Sequence, residues 1–255
     1  MSRMQTLLIV LVGMVALYGI VWARRWLGLR RGARKIARIL EATVQERRLV
    51  RVDPAQFPWL DAAFYDQAQH NLEAEGFQLL ANVEDETSSV AMPDKRTYVR
   101  LLNLPDGSIR VAIWEMVVGG PQGRPRKTIR VVEFLTELSD GGCVSTSTAP
   151  AKLLFDVPPG VSRELLSAAI APRDGLAMHR SHLERVLSGR PGVAISPVRT
   201  YDEAIAAWLR GHARRRSRLA EQGGLNREEL QRLAGPGRQA VADAVFTEMQ
   251  RQRRR

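Results

Sequence analysis

The feature that most constrains this chain is an uninterrupted apolar run near its start. Residues 7–23 read LLIVLVGMVALYGIVWA and contain no charged side chain. At about 1.5 Å of rise per residue, a helix over this run covers most of the roughly 30 Å hydrocarbon core of a bilayer. Tyr18, Trp22 and Trp26 lie toward its C-terminal end, and aromatic side chains favour the membrane interface. The run therefore predicts a transmembrane helix.

The charges that flank the run predict its orientation. Only Arg3 precedes it, whereas residues 24–51 carry ten Arg and Lys against two Glu. Because positive flanks stay in the cytoplasm, we expect a single-pass inner-membrane protein with its C-terminal domain in the cytoplasm. The alternative is a cleaved signal peptide, but the bulky and then doubly cationic residues 18–26 suit neither cleavage nor export. We therefore predict a retained signal-anchor at residues 1–23.

Basic residues are concentrated at both ends of the remaining chain. Residues 52–207 carry fifteen basic and twenty acidic side chains, whereas residues 208–255 carry twelve Arg and five acids. Such asymmetry is typical of proteins that contact a polyanion, either a lipid surface or a nucleic acid. The 208–255 segment has few aromatic side chains for base stacking, so we expect lipid rather than nucleic acid.

Apolar residues at helical spacing predict a helix over residues 29–47, inside a basic juxtamembrane segment 24–51. This helix either lies on anionic lipid or forms a stalk that packs its apolar stripe on the following domain. The basic side chains that we predict to bind lipid in the first case are Arg24, Arg25, Arg30, Arg31, Arg34, Lys35 and Arg38.

A change of hydrophobic period near Phe77 marks the start of a sheet. Before it, Pro58 to Glu75 reads as a helix that ends at Gly76. The short connections between the strands favour an antiparallel meander, and a phase slip near Val132 indicates a bulge. The predicted strands are 77–83, 97–104, 108–118, 128–138 and 142–148, with a possible sixth at 152–157.

The chain returns to a helical pattern after Ser162. We expect helices over 162–171 and 174–187, then one that begins with a capping box formed by Thr200 and Glu203. The complete expectation is an α+β fold with one transmembrane helix, an antiparallel sheet of five to six strands with helices on one face, and a helical C-terminal segment. The predicted domains are the anchor 1–23, the juxtamembrane helix 24–51, the α+β domain 52–198 and the basic segment 199–255.

Four residues are candidates for binding a ligand. Glu115 and Glu133 fall on neighbouring predicted strands, where a pair of carboxylates can do acid–base work if burial separates their pKa values. Thr136 belongs to a group of hydroxyl residues around one hairpin, which either line a groove or lie on a solvated face. His179 and His182 can share a helix face, but zinc needs a third ligand, so we expect no metal, no other cofactor and a histidine at the edge of the core.

One segment resembles a known group of proteins. It runs from Glu133-Phe134-Leu135-Thr136 through Asp140-Gly141 and Ser145-Thr146-Ser147 to the helix that contains His179. In this pattern the chain is similar to a group of uncharacterised bacterial membrane-anchored proteins, over residues 57–187. The resemblance implies the architecture and no particular activity.

The sequence contains no Gly-rich phosphate loop and no nucleophile elbow. We therefore predict a non-enzymatic binding or scaffold module that contacts a protein partner, anionic lipid or both. The first alternative is an enzyme or small-ligand carrier with its site in the concavity of the sheet. The second is a nucleic-acid binder.

Overall fold

The structure, a computed structural model, describes residues 27–34, 37, 46–91, 96–118, 127–150, 157–222, 225–235 and 237–253. The chain divides into two compact units. One consists of residues 1–41 with 225–255, and the other of residues 42–224.

A seven-stranded mixed sheet forms the centre of the 42–224 unit. Its strands are β1 (Leu49–Arg51), β2 (Gln78–Asp85), β3 (Tyr98–Asn103), β4 (Arg110–Val118), β5 (Lys127–Glu137), β6 (Cys143–Ser147) and β7 (Val161–Leu165). They lie side by side in chain order. Every neighbouring pair is antiparallel except β6 and β7, which are parallel.

Helices of the same unit cover both faces of this sheet. They are a 3₁₀ turn (Pro54–Gln56), α1 (Ala62–Glu73), α2 (Glu86–Ala91), α3 (Pro172–Ser188) and α4 (Tyr201–Glu221). On the first face, Leu72 of α1 and Leu176 of α3 join a core that includes Val111 and Phe134. On the second face, Ile205 and Trp208 of α4 pack on the side chains that point the other way.

The turn between β3 and β4 depends on Gly107. Its φ is +76°, and a Cβ there would lie 2.8 Å from the backbone nitrogen of Val198. Asp106 accepts a hydrogen bond from the Ser108 backbone N–H at 2.9 Å, which closes the predicted Pro-Asp-Gly turn. The hairpin therefore forms where the sequence predicted it, and Gly107 lets the 198 segment approach the sheet closely.

The predicted capping box at the start of α4 is confirmed. Thr200 accepts a hydrogen bond from the Glu203 backbone N–H, and the Glu203 carboxylate accepts one from the Thr200 N–H. These two bonds satisfy N–H groups that a helix start otherwise leaves without partners. The box therefore determines the residue at which α4 begins.

The prediction for the sheet was wrong in the number of strands, in the direction of one strand pair and in the number of faces that helices cover. It has seven strands rather than five or six, it includes a parallel pair, and helices lie on both faces. Residues 162–165, where we expected a helix to begin, belong to β7 instead. The predicted bulge near Val132 is also wrong, because β4 and β5 pair in continuous register, and the shift lies in β2 between Leu79 and Ala81. The possible strand at 152–157 lies almost wholly outside the described residues.

The transmembrane part of the predicted fold class is corrected as well. Within the described residues, no helix is both long and apolar enough to cross a membrane. The apolar run at 7–23 lies outside those residues. The single-pass and signal-anchor predictions, and the inner-membrane location that depended on them, are therefore not retained.

The second unit contributes a pair of helices near the C-terminus. These are α5 (Arg227–Ala234) and α6 (Gln239–Arg253), which pack on each other. Asn226 caps α5 by accepting a hydrogen bond from the Glu229 backbone N–H at 2.8 Å. Residues 27–34 of the same unit are helical, as expected for the start of the predicted 29–47 helix. In the 42–224 unit, residues 49–51 form β1, although we had assigned them to the juxtamembrane helix 24–51.

Candidate functional site

The structure separates the four predicted ligand-binding residues into three places. Thr136 and His179 meet on the first face of the sheet, with Oγ1 and Nε2 3.0 Å apart. Glu133 points to the second face, where it accepts a hydrogen bond from Ser145 at 2.7 Å. Glu115 lies on the first face opposite Arg130, six residues along β5 from Thr136 and thus about 20 Å away. The two carboxylates therefore do not form a pair.

A hydroxyl–imidazole chain joins α3 to the sheet. We define it as Ser162, His182, Thr146, His179 and Thr136, and it ends at the backbone carbonyl of Ser108. The successive contacts measure 2.9, 3.1, 2.9, 3.0 and 2.9 Å. The spacing of three residues places both imidazoles on the face of α3 that meets the sheet. The chain therefore links α3 with β5, β6 and β7.

Burial keeps the imidazoles of His179 and His182, the two in the hydroxyl–imidazole chain, neutral. His179 has no exposed surface, and burial lowers its pKa to about 3, with smaller contributions from His182 and Arg180. Burial also lowers the pKa of His182, against the opposing effect of the Glu164 carboxylate. A neutral imidazole has one donor and one acceptor nitrogen, which is what a chain of hydroxyl partners requires.

Glu115 occupies a separate buried position beside the start of α1. Its Oε1 accepts a hydrogen bond from the Asp61 backbone N–H at 3.4 Å, and within the described residues its Oε2 has no hydrogen-bond partner. Burial raises the pKa of this carboxyl, and the negative charge of Asp61 adds to the effect. The second predicted carboxylate, Glu133, lies on the opposite face of the sheet, so the predicted pair of Glu115 and Glu133 does not form here.

A buried ion pair anchors α4 on the second face of the sheet. Arg110 and Glu137 are 4% and 6% exposed, and their side chains are 3.4 Å apart. Arg110 also donates a hydrogen bond to the carbonyl of Ala204 at 3.0 Å. Because a charge in this position is stable only with its partners, the pair fixes where the N-terminal half of α4 lies.

The C-terminal half of α4 lines a groove of about 420 Å³. Arg210, Arg214 and Arg218 follow one another at four-residue intervals and thus share a helix face. Pro159 and Ala213 add apolar surface, and Ser217 and Glu221 complete the lining. Three arginines against one glutamate give the groove a net positive charge. We call these residues the α4 groove.

The residues predicted to bind lipid lie mostly outside the described part of the chain. Arg24, Arg25, Lys35 and Arg38 are not described. Within residues 27–34, the side chains of Arg31 and Arg34 are exposed and that of Arg30 is half-buried. Their role in lipid binding stays a prediction.

Sequence reasoning missed Ser162 and the α4 groove. Ser162 was assigned to a helix start, so its position beside β6 was not visible. The four-residue spacing of Arg210, Arg214 and Arg218 was readable from the sequence, but the groove depends on Pro159, which is distant along the chain. Among the described residues, no group of three or more His, Cys, Asp or Glu could hold a metal ion.

Comparison with protein-family models, with curated proteins and with solved structures gave no match. The resemblance to bacterial membrane-anchored proteins therefore stays a prediction.

Proposed function

We propose that this chain is a binding module that docks an acidic segment of a partner protein in the α4 groove. The observation that carries the proposal is the row formed by Arg210, Arg214 and Arg218 along one wall of a concave surface. Arginine presents a planar fork of donors that matches a carboxylate with two parallel hydrogen bonds.

Two arginines of this row are available to bind a ligand. Within the described residues, Arg210 has no hydrogen bond or ion pair, and its side chain is exposed. Arg214 approaches Glu137 only at 4.0 Å, and its buried Nε has no hydrogen-bond partner among those residues. Since Glu137 also pairs with Arg110, an incoming carboxylate can bind Arg214 without displacing a strong partner.

The shape and lining of the groove favour a protein segment over the other two polyanions. A concave surface can accept an inserted side chain, whereas it cannot follow the flat surface of a bilayer. The lining contains no aromatic residue, whereas single-stranded nucleic acid is usually held by stacking on aromatic rings. Pro159 and Ala213 can pack against the stem of a Glu side chain while arginine binds its carboxylate.

The test compares a double substitution in the groove with a matched one elsewhere. Arg210→Gln with Arg214→Gln removes two positive charges from α4 and keeps good helix formers. Arg180→Gln with Arg185→Gln removes the same charge from exposed positions on α3. The probe is a fluorescent glutamate-rich peptide, and binding to the full chain is measured by anisotropy at low and moderate salt.

We expect the groove variant to weaken binding of this peptide by about tenfold or more, which corresponds to about 1.4 kcal/mol. The α3 variant should change it by less than about twofold, because exposed charges away from the site act only through screened long-range fields. Equal weakening by both variants would contradict the proposal. Tighter, groove-dependent binding of phosphatidylserine vesicles or of a single-stranded oligonucleotide would assign the groove to that polyanion instead.

A further inference from the structure

We propose that Ser162 is a nucleophile, activated by His182, that takes an acyl group from a carboxylic ester. This activity is separate from the docking proposed for the α4 groove and does not depend on it. Ser162 is half-buried on β7, the last strand of the sheet, and its Oγ lies 2.9 Å from Nε2 of His182. The distance is that of a serine and its general base.

The hydroxyl–imidazole chain fixes which nitrogen of each histidine carries the proton. The carbonyl of Ser108 can only accept, so Thr136 must donate its hydroxyl proton there. Thr136 then accepts from His179, which places the proton of that ring on Nε2. The Nδ1 of His179 is therefore an acceptor, and Thr146 donates to it.

The tautomer of His182 follows from that of His179. Because the proton of Thr146 is already committed to His179, Thr146 must accept from Nδ1–H of His182. The Nε2 of His182 is then left with a lone pair directed at Ser162, whose hydroxyl donates to it. This tautomer is the one that a general base needs.

Burial opposes a charge on His182, but two groups beside Nδ1 offset part of that cost when the ring takes up the proton. Its Nδ1–H keeps the bond to Thr146, and a carboxylate oxygen of Glu164 lies 3.8 Å from Nδ1. Arg185 opposes this effect, since it pairs with the same carboxylate at 3.3 Å. His179 cannot take the proton instead, because its acceptor nitrogen is occupied by Thr146 and its ring is fully buried.

The reaction transfers the acyl group in two steps. In the first step, Ser162 Oγ bonds to the carbonyl carbon of the ester while its proton moves to Nε2 of His182. The carbon–oxygen bond to the alcohol then breaks, and Nε2–H returns the proton to the leaving alcohol. In the second step, water attacks the acyl-serine by the same route, releasing the acid and restoring Ser162 and neutral His182.

The experiment uses a fluorophosphonate probe, which bonds to an activated serine with loss of fluoride. The full chain is incubated with the probe, and adducts are located by mass spectrometry of the intact protein and its peptides. Ser188→Ala is the matched control, because Ser188 is an exposed serine of α3 whose hydroxyl donates to a backbone carbonyl of its own helix.

We expect one adduct on Ser162 in the natural sequence and none there in Ser162→Ala. His182→Gln should slow the labelling by about tenfold or more, within the range that a positioned base contributes. The Ser188→Ala variant should label at the natural rate. Circular dichroism of each variant is used to test that it is folded.

Two results would overturn the proposal. One is a folded natural protein that carries no adduct on Ser162 after prolonged labelling. The other is labelling of Ser162 at an unchanged rate in folded His182→Gln, which would show that the imidazole does not activate the hydroxyl. Turnover of p-nitrophenyl acetate, lost in Ser162→Ala, would confirm that the second step also occurs.

Discussion

Acid should destabilise this protein through His179, and the effect can be isolated with one substitution. The folded chain holds the pKa of this imidazole at about 3, against an ordinary value of 6.5, because burial disfavours the charged ring. The unfolded chain therefore binds a proton below about pH 6.5, whereas the folded chain does so only near pH 3. The contribution of His179 to stability is full above about pH 6.5 and is lost as the pH falls through this interval.

The loss of unfolding free energy follows from the difference between the pKa of His179 in the folded chain and in the unfolded chain. Each pH unit between the two pKa values costs about 1.4 kcal/mol. From about 6.5 to about 3, the free energy of unfolding falls by at most about 5 kcal/mol on account of His179. That is a large part of the stability of an ordinary domain, which is about 5 to 15 kcal/mol.

The assay is urea unfolding at pH values from about 7 to about 4, for the natural sequence and for His179→Gln. The variant should be less stable at neutral pH, since Thr136 and Thr146 lose hydrogen-bond partners. Its free energy of unfolding should then fall less steeply with acid, by about 1.4 kcal/mol per pH unit. His70→Gln, at an exposed position on α1, serves as the control. Parallel pH curves for His179→Gln and the natural sequence would refute the reasoning.

Three further substitutions test the packing around the sheet, each by urea unfolding at neutral pH. Glu137→Gln removes the carboxylate paired with buried Arg110 and should cost about 3 to 5 kcal/mol, so a loss under about 1 kcal/mol would contradict the pairing. Gly175→Ala places a Cβ 2.9 Å from the ring of Phe134 and should cost about 1 to 3 kcal/mol, whereas unchanged stability would show that the contact relaxes freely. Gly211→Ala, where the added Cβ meets nothing within 4 Å, should stabilise α4 by about 0.5 to 1 kcal/mol, and destabilisation would count against this helix conformation.

The sequence was sufficient for elements that local chemistry determines. The capping box at Thr200 and the turn at Gly107 both formed where predicted, because each depends on residues within a few positions of one another. The strands β2 to β6 were also located to within a few residues. The strand β7 was missed because its partner β6 is joined to it by a long connection, and parallel pairing leaves no turn signal between the strands.

Coverage of both sheet faces explains the remaining errors in the fold. All six residues of β3 are buried, including Arg100 and Asn103. When both faces are covered, apolar residues occur in both phases of a strand, so the change of phase near Val132 did not require a bulge. The prediction that helices cover one face only was therefore wrong.

The candidate site could be predicted only in part. Thr136 and His179 were both singled out from the sequence, and they are in contact. The sequence did not reveal the role of these two residues, because it depends on Thr146 and Ser162. Strand pairing and the packing of α3 bring those two side chains close to the histidines. Hydroxyl residues on strands are too common for their hydrogen-bond partners to be inferred from spacing alone.

The strands lie in the sheet in the same order as along the chain, and this order affects how the protein folds. From β2 to β6, each strand pairs with the next one along the chain, so these contacts close short loops. β1 pairs across the segment that contains α1, and β7 joins β6 only after the chain has returned to the same end of the sheet. We therefore expect the meander to form first and β7, with the α3 contacts that complete the hydroxyl–imidazole chain, to assemble late. Substitutions of residues in the hydroxyl–imidazole chain should then speed unfolding more than they slow folding.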